Sequence, residues 1–301
     1  MAGAGLTVGF ATFVRAPTAA APHASAPALI SHRVAASSPK PVLAAYSTSW
    51  LDANPGPDLP VRAQSAIVVD LDSKKVLWAR DPHSVRAPAS LTKLITAMVA
   101  ADLAPMGMEV TVPAEAAQVE PDVMGLSEGE VVTLETLFYG LFLNSGNDAA
   151  ETLSRTLVPR DRFLQLMNQR AARLGMRDTH FSNPTGLDDT ELRASAYDLA
   201  VAAGELAAHY PRLAQIAGTR EQPIARTAQH KAYDPYNLNK MLWIYPGATG
   251  LKTGFTDDAG GCVVVTATRD GRHLLAVVMH DDLFFTDAGK LLDYGWSVRP
   301  T

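Results

Sequence analysis

Near the end of the chain two apolar runs meet at a two-residue joint. Gly261–Arg269 reads GCVVVTATR, Arg272–His280 reads RHLLAVVMH, and Asp270-Gly271 lies between them. Asp-Gly between such runs predicts a tight hairpin, because both turn positions need positive φ and these two residues tolerate it. An isolated hairpin is marginal in water, so these strands need partners and a covering layer. The other end of the chain offers them: Ser65–Asp72 reads SAIVVDLD and, after Ser73-Lys74, Lys75–Arg80 reads KVLWAR, a second predicted hairpin. Between the two ends, from about 105 to 245, the patterning is helical. Strands at both ends with helices between predict an α/β (α+β) fold, a mainly antiparallel sheet built from both chain ends and flanked by helices, with a helical subdomain inserted at about 105–245. No internal repeat is evident.

A chain of 301 residues with 47% hydrophobic content can bury a full core as one large domain or two small ones. The formal charge is -5 and the basic residues are scattered, which argues against a nucleic-acid partner. The single cysteine, Cys262, excludes an internal disulfide and leaves the redox compartment open. Residues 1–61 are dominated by Ala, Pro and Ser and read as a leader and linker ahead of a folded domain at 62–301. Leu6 to Val14 has the character of a secretory apolar segment and Ala24-Ser25-Ala26 the form of a cleavage site, although no basic residue precedes Arg15. No later stretch offers eighteen uninterrupted apolar residues, so any membrane attachment is expected through the N-terminal segment.

The helical patterns carry the polar residues of interest. Ala87–Ala100, APASLTKLITAMVA, places Leu91, Leu94, Ile95, Met98 and Val99 at helical spacing, which predicts a helix from Ser90 with one face docked on a core. Thr133 to Leu143 has the apolarity of a buried helix, Asp148-Ala-Ala-Glu151 is a start signal for the next, and Arg162 to Leu174 is amphipathic.

Ser90 and Lys93 stand three residues apart and so point their heads toward one region. A serine hydroxyl is a poor nucleophile until a base takes its proton, and a lysine serves only if burial or a second cation pulls its pKa toward neutrality. Taken alone the pair is weak, since serine caps helices, lysine covers surfaces, and Ser37-Ser-Pro-Lys40 fits the same pattern. Two further elements agree with it, in order. Asn144-Ser145-Gly146-Asn147 falls between two predicted helices, and Gly250-Leu-Lys252-Thr253-Gly254 opens the returning strands. Individually, Ser145 and Asn147 could shape a turn and Lys252 could guard a strand edge. Together, Ser-x-x-Lys, Ser-x-Asn and Lys-Thr-Gly are the three signature elements of the penicillin-recognising serine acyl-transferases.

From about residue 62 to 297 the chain resembles the low-molecular-weight penicillin-binding proteins, serine-type D-alanyl-D-alanine carboxypeptidases with a β-lactamase/transpeptidase-like fold. Phe181-Ser-Asn-Pro-Thr-Gly-Leu-Asp188, Ser195-Ala-Tyr-Asp198-Leu and Asn237-Leu-Asn239 resemble further family segments and read as turn and packing elements. The resemblance implies Ser90 as nucleophile, Lys93 as base and Ser145 as proton relay. It implies Asn147, Lys252, Thr253, Gly254 and Phe255 in substrate binding, with the N–H groups of Ser90 and Phe255 as oxyanion hole. It also implies a peptidoglycan stem peptide ending in D-Ala-D-Ala as substrate, β-lactams as inhibitors, an extracytoplasmic location, and no metal or other cofactor. A D,D-endopeptidase shares every one of these residues. A serine β-lactamase needs a dedicated deacylating carboxylate on a loop before Lys-Thr-Gly; Glu191 and Glu205 lie in that interval, neither in a recognisable setting, and a non-catalytic penicillin-binding module is a further alternative.

Overall fold

The structure is a computed structural model and describes residues 1–2 and 45–300. In chain order its elements are α1 (Ser49–Ala53), β1 (Ser65–Asp70), β2 (Lys75–Arg80), a 3₁₀ turn (Ala89–Thr92), α2 (Lys93–Leu103), β3 (Glu109–Thr111), α3 (Ala114–Ala117) and β4 (Val131–Thr133). There follow α4 (Leu134–Leu143), α5 (Asn147–Thr156), α6 (Arg160–Arg173), α7 (Ala196–His209), α8 (Pro211–Ala217) and α9 (Met241–Ile244). The chain ends in β5 (Ala248–Thr256), β6 (Gly260–Arg269), β7 (Arg272–Met279) and α10 (Phe284–Ser297).

The two hairpins read from the sequence form one sheet in the order β2-β1-β7-β6-β5, every neighbouring pair antiparallel. Asp270 and Gly271 take φ of 50° and 74°, as the two-residue turn requires. The chain ends are stitched together where β1 pairs with β7, from Ser65 opposite Met279 to Asp70 opposite Leu274. Side chains alternate between the two faces. Ile67, Val69, Val264, Leu275 and Val277 join the core under the helices, while Ala66, Val68, Val263, Leu274 and Ala276 meet Leu291 and Leu292 of α10. Each large aliphatic side chain withdrawn from water this way contributes about 1.5–3 kcal/mol, so the sheet is a stiff platform for the strand at its edge.

That edge strand is β5, and the 3₁₀ turn that leads into α2 lies beside it. The expected one-sided docking of α2 does not hold: every residue from Lys93 to Ala100 is buried. Small residues on its flanks, Thr96, Ala97 and Ala100, let α5, α6 and α7 close around the leucines, so the helix runs through the core. Its start also differs from expectation. Ser90 sits in the 3₁₀ turn, and the α-helix proper begins at Lys93.

The helical region between β2 and β5 contains one feature that sequence patterning did not indicate, a two-stranded sheet of β3 and β4. Residues 45–61, ahead of the boundary expected at 62, lie against β2. Val76 N–H donates to Ser47 O at 2.9 Å, the Trp78 indole N–H to Pro57 O at 3.0 Å, and Arg80 to Val61 O at 2.7 Å. The leader reading at Leu6–Val14 and Ala24–Ala26 falls outside the described residues. Among the described residues no helix is long and apolar enough to cross a membrane.

Candidate active site

Three distant stretches converge at the start of α2. Lys93, fully buried, holds its Nζ 2.7 Å from Ser90 Oγ and donates to Asn147 Oδ1 at 2.8 Å and to Thr185 O at 2.5 Å. Ser90 is partly exposed, so its hydroxyl is reachable from outside while the amine behind it is not. The 3₁₀ turn produces this arrangement by tightening the backbone over Ala89–Thr92, which brings residues three apart nearly into line. Ala89, just before the serine, has φ of 47°, a left-handed conformation that a non-glycine residue keeps only when its surroundings impose it.

The surroundings are visible. Gly186 has φ of 90°, and a Cβ there would overlap the Ala89 carbonyl and stand 2.8 Å from the Ser90 amide nitrogen. On the other side a Cβ at Gly254 would stand 2.8 Å from that same nitrogen. Two glycine backbones thus clasp the serine turn, one from the 181–188 segment and one from β5. The 181–188 segment therefore does more than pack, as the sequence suggested: its Thr185 carbonyl is a direct partner of Lys93. A main-chain group leaves no side-chain signature. The available clue was Gly186 itself, a glycine closing an Asn-Pro-Thr-Gly turn.

Asn147 opens α5, and Ser145 lies two residues before it in the connection from α4. Ser145 is buried, with φ of 59°, so this connection is strained and tucked in rather than displayed. The Asn147 amide is oriented from behind: Nδ2 donates to Glu120 O at 2.9 Å, which turns Oδ1 toward Lys93, and its backbone N–H donates to Asp122 O at 2.8 Å.

Asp148 was expected to help start this helix with Glu151. It does not cap, because its carboxylate accepts from the backbone N–H groups of Met124, Gly125 and Leu126 at 2.9, 2.8 and 2.9 Å and so anchors the loop that grips Asn147. Glu151 turns away to Arg155 and Arg160, at 2.8 Å each.

Lys252 and Thr253 come from the middle of β5. Lys252 is buried at the strand edge rather than guarding it, and its Nζ donates to Thr253 O at 2.9 Å. Phe255 directs a side chain 68% exposed to solvent, consistent with a contribution through its main chain. Burial lowers the Lys93 pKa well below the usual lysine value and the Lys252 charge lowers it further, with Asp122 and Asp148 opposing. Burial likewise brings Lys252 down to about 7, again opposed by Asp122. Glu191 and Glu205 stand apart from this cluster. Glu205 is tied to His209 at 2.9 Å and Arg170 at 3.7 Å, and exposed Glu191 meets Arg193 at 3.7 Å. Among the described residues no group of His, Cys, Asp or Glu could hold a metal ion.

A buried amine held well below the usual lysine pKa, in hydrogen-bond reach of a partly exposed serine hydroxyl, is what serine acyl transfer requires, and a second amine nearby suits an anionic substrate. The family profile for D-alanyl-D-alanine carboxypeptidase matches residues 52–283. DacB2 of Mycobacterium tuberculosis, a D-alanyl-D-alanine carboxypeptidase, is 35% identical over 83% of this chain and 90% of its own length. DacF of Bacillus subtilis, with the same description, is 31% identical over 73% of this chain, which spans 58% of that longer protein. A crystal structure of D-alanyl-D-alanine carboxypeptidase from Mycobacterium tuberculosis H37Rv superposes with a TM-score of 0.77 at 34% identity, covering 82% of this chain and 95% of the other. The chain belongs to the D-alanyl-D-alanine carboxypeptidase family, hydrolases that act on the peptidoglycan of the cell wall.

Proposed function

We propose that this chain removes the terminal D-alanine from peptidoglycan stem peptides outside the cytoplasm through an acyl-enzyme on Ser90. The observation that carries the reading is the set of partners around Lys93 Nζ. A neutral amine has two N–H donors and one lone pair; Asn147 Oδ1 and Thr185 O accept the two protons, leaving the lone pair for the Ser90 hydroxyl.

In this reading Ser90 Oγ attacks the carbonyl of the penultimate D-alanine as its proton passes to Lys93. The oxyanion is met by the backbone N–H groups of Ser90 and Phe255. The C–N bond then breaks, and the departing amine takes the proton from Lys93 by way of the Ser145 hydroxyl. Lys252 and Thr253 hold the substrate carboxylate, whose negative charge draws Lys252 toward its protonated form. Water then attacks the ester carbonyl, the same lysine taking its proton and passing it to Ser90 Oγ as the acyl C–O bond breaks. β-Lactams enter as acylating mimics of the substrate, and no step needs a metal.

Incubation with a peptide ending in D-Ala-D-Ala should release one free D-alanine per peptide and nothing further. Cleavage of a cross-linked muropeptide in preference to that peptide would replace the reading with an endopeptidase. Rapid turnover of nitrocefin would replace it with a β-lactamase, against which the engagement of Glu205 and Glu191 elsewhere already weighs.

A further inference from the structure

Beside the catalytic cluster, residues 236–240 alternate: Tyr236, Leu238 and Lys240 are exposed, while Asn237 and Asn239 are buried. Asn237 pins the row. Its Nδ2 donates to Ala217 O at 2.9 Å and Thr219 O at 2.8 Å, and its Oδ1 accepts from Asn239 N–H at 3.0 Å. Tyr236 stacks on Trp243 of α9 with ring centroids 5.0 Å apart and planes 23° off parallel, yet Tyr236 is 50% exposed and Trp243 37%. The Arg220 guanidinium lies over Trp243 at 5.7 Å and is itself held by the Leu242 carbonyl at 2.5 Å. Tyr236 also lines a cleft of about 280 Å³ with Glu221 and Asp234. Rigidly backed aromatic faces left in water mark a binding surface rather than a core.

The row is tied to the connection that carries Ser145. Leu238 N–H donates to Leu143 O at 3.0 Å, and Leu143 is two residues from Ser145, a span of at most about 7 Å. A stem peptide hangs from a sugar of the glycan strand, and about five extended residues reach roughly 15 Å. The group set suits a pyranose: π faces for its C–H face, carboxylates for its hydroxyls, and a guanidinium for its acetamido and ring oxygens.

We propose that the Tyr236–Trp243 face, with Glu221, Asp234 and Arg220, is a saccharide subsite that seats a sugar of the glycan strand carrying the stem peptide. The proposal rests on the carboxypeptidase reading, since it seats the polymer whose stem that site trims. It predicts that glycan-borne peptide binds better than bare peptide, and that the aromatic pair supplies the difference.

The test compares KM for a bare D-Ala-D-Ala peptide with KM for the same peptide on a peptidoglycan disaccharide, in the intact chain and in Tyr236→Ala and Trp243→Ala. In parallel, quenching of tryptophan fluorescence is titrated with an oligomer of N-acetylglucosamine. The expected result is a KM advantage for the glycan-borne peptide that falls about tenfold in either variant and is kept in Trp243→Phe, with sugar quenching lost in Tyr236→Ala. Equal KM for both substrates in the intact chain, or an advantage that survives both alanine variants, overturns it. So does loss of binding to phospholipid vesicles in those variants without any change in the ratio, which makes the face a membrane contact. Labelling of Ser90 by a fluorescent penicillin is read separately: its absence removes the carboxypeptidase reading, whereas its presence with no sugar effect removes only the subsite.

Discussion

Lys93 Nζ lies 2.7 Å from Ser90 Oγ, and both groups reach the same carbonyl, that of Thr185, at 2.5 and 3.5 Å. The lysine is thereby fixed as the serine's only amine neighbour among the described hydrogen bonds. Lys93→Ala should slow acylation by penicillin by about 10³-fold, the scale of a lost general base. Lys93→Arg should not restore it, because a guanidinium stays protonated. Stopped-flow acylation rates check both.

Lys252, with its pKa brought down to about 7 by burial, gives substrate binding a pH dependence of definite sign. Below pH 7 it is charged and attracts a carboxylate; above, it is neutral. KM for a carboxylate-terminated peptide should therefore rise as pH climbs through 7, by up to about tenfold per unit. The same shift bears on stability. Between about 7 and the ordinary lysine value the unfolded chain holds a proton that the folded chain lacks, so stability increases with pH across that window and is penalised below it. Lys252→Met should raise stability at pH 7 by about 1–3 kcal/mol in urea titration while impairing substrate binding.

Asp148 tests whether the loop behind Asn147 matters to chemistry. In Asp148→Asn one amide oxygen replaces two carboxylate oxygens that serve four N–H groups, three of them in the loop, leaving part of the loop unsatisfied at a cost of about 1–3 kcal/mol. With Asn147 less firmly oriented, acylation should fall about 10- to 100-fold while the protein remains folded at 25 °C. Melting curves and acylation rates separate the two effects, and full acylation by a destabilised variant would confine Asp148 to structure.

Gly186→Ala should be more damaging than its size suggests. The residue must hold φ of 90° and its new methyl would press on the Ala89 carbonyl, so the turn that carries Ser90 has to move. The expected cost is about 2 kcal/mol or more in stability, with acylation at least about tenfold slower. Urea titration and penicillin labelling measure these directly.

Legibility in the sequence followed the kind of group involved. Residues that act through side chains at short spacing were readable: Ser90 and Lys93 by their separation of three, Asp270-Gly271 by the φ values their turn demands. Lys252 was readable as part of a motif but not as buried, since its burial depends on distant parts of the chain packing against β5, the 3₁₀ turn and α8 among them. Thr185 O was hidden because a carbonyl belongs to every residue, and its role exists only where residues 92 positions apart meet. Asp148 correctly marked a helix start, α5 beginning at Asn147, but its anchoring of the loop was hidden for a related reason: the three loop N–H groups it accepts from lie more than twenty residues upstream. The whole-round burial of α2 was likewise invisible, because the same leucine spacing serves a helix packed on one side or on all sides.

The most direct test is the site and lysine dependence of the covalent intermediate. The protein is treated with benzylpenicillin, digested, and its adduct located by mass spectrometry, alongside Lys93→Ala. One adduct per chain, on the peptide bearing Ser90 and nearly lost in the lysine variant, is the predicted result. An adduct on another residue, or equal labelling without the lysine, contradicts the assignment of Ser90 as nucleophile and Lys93 as its base.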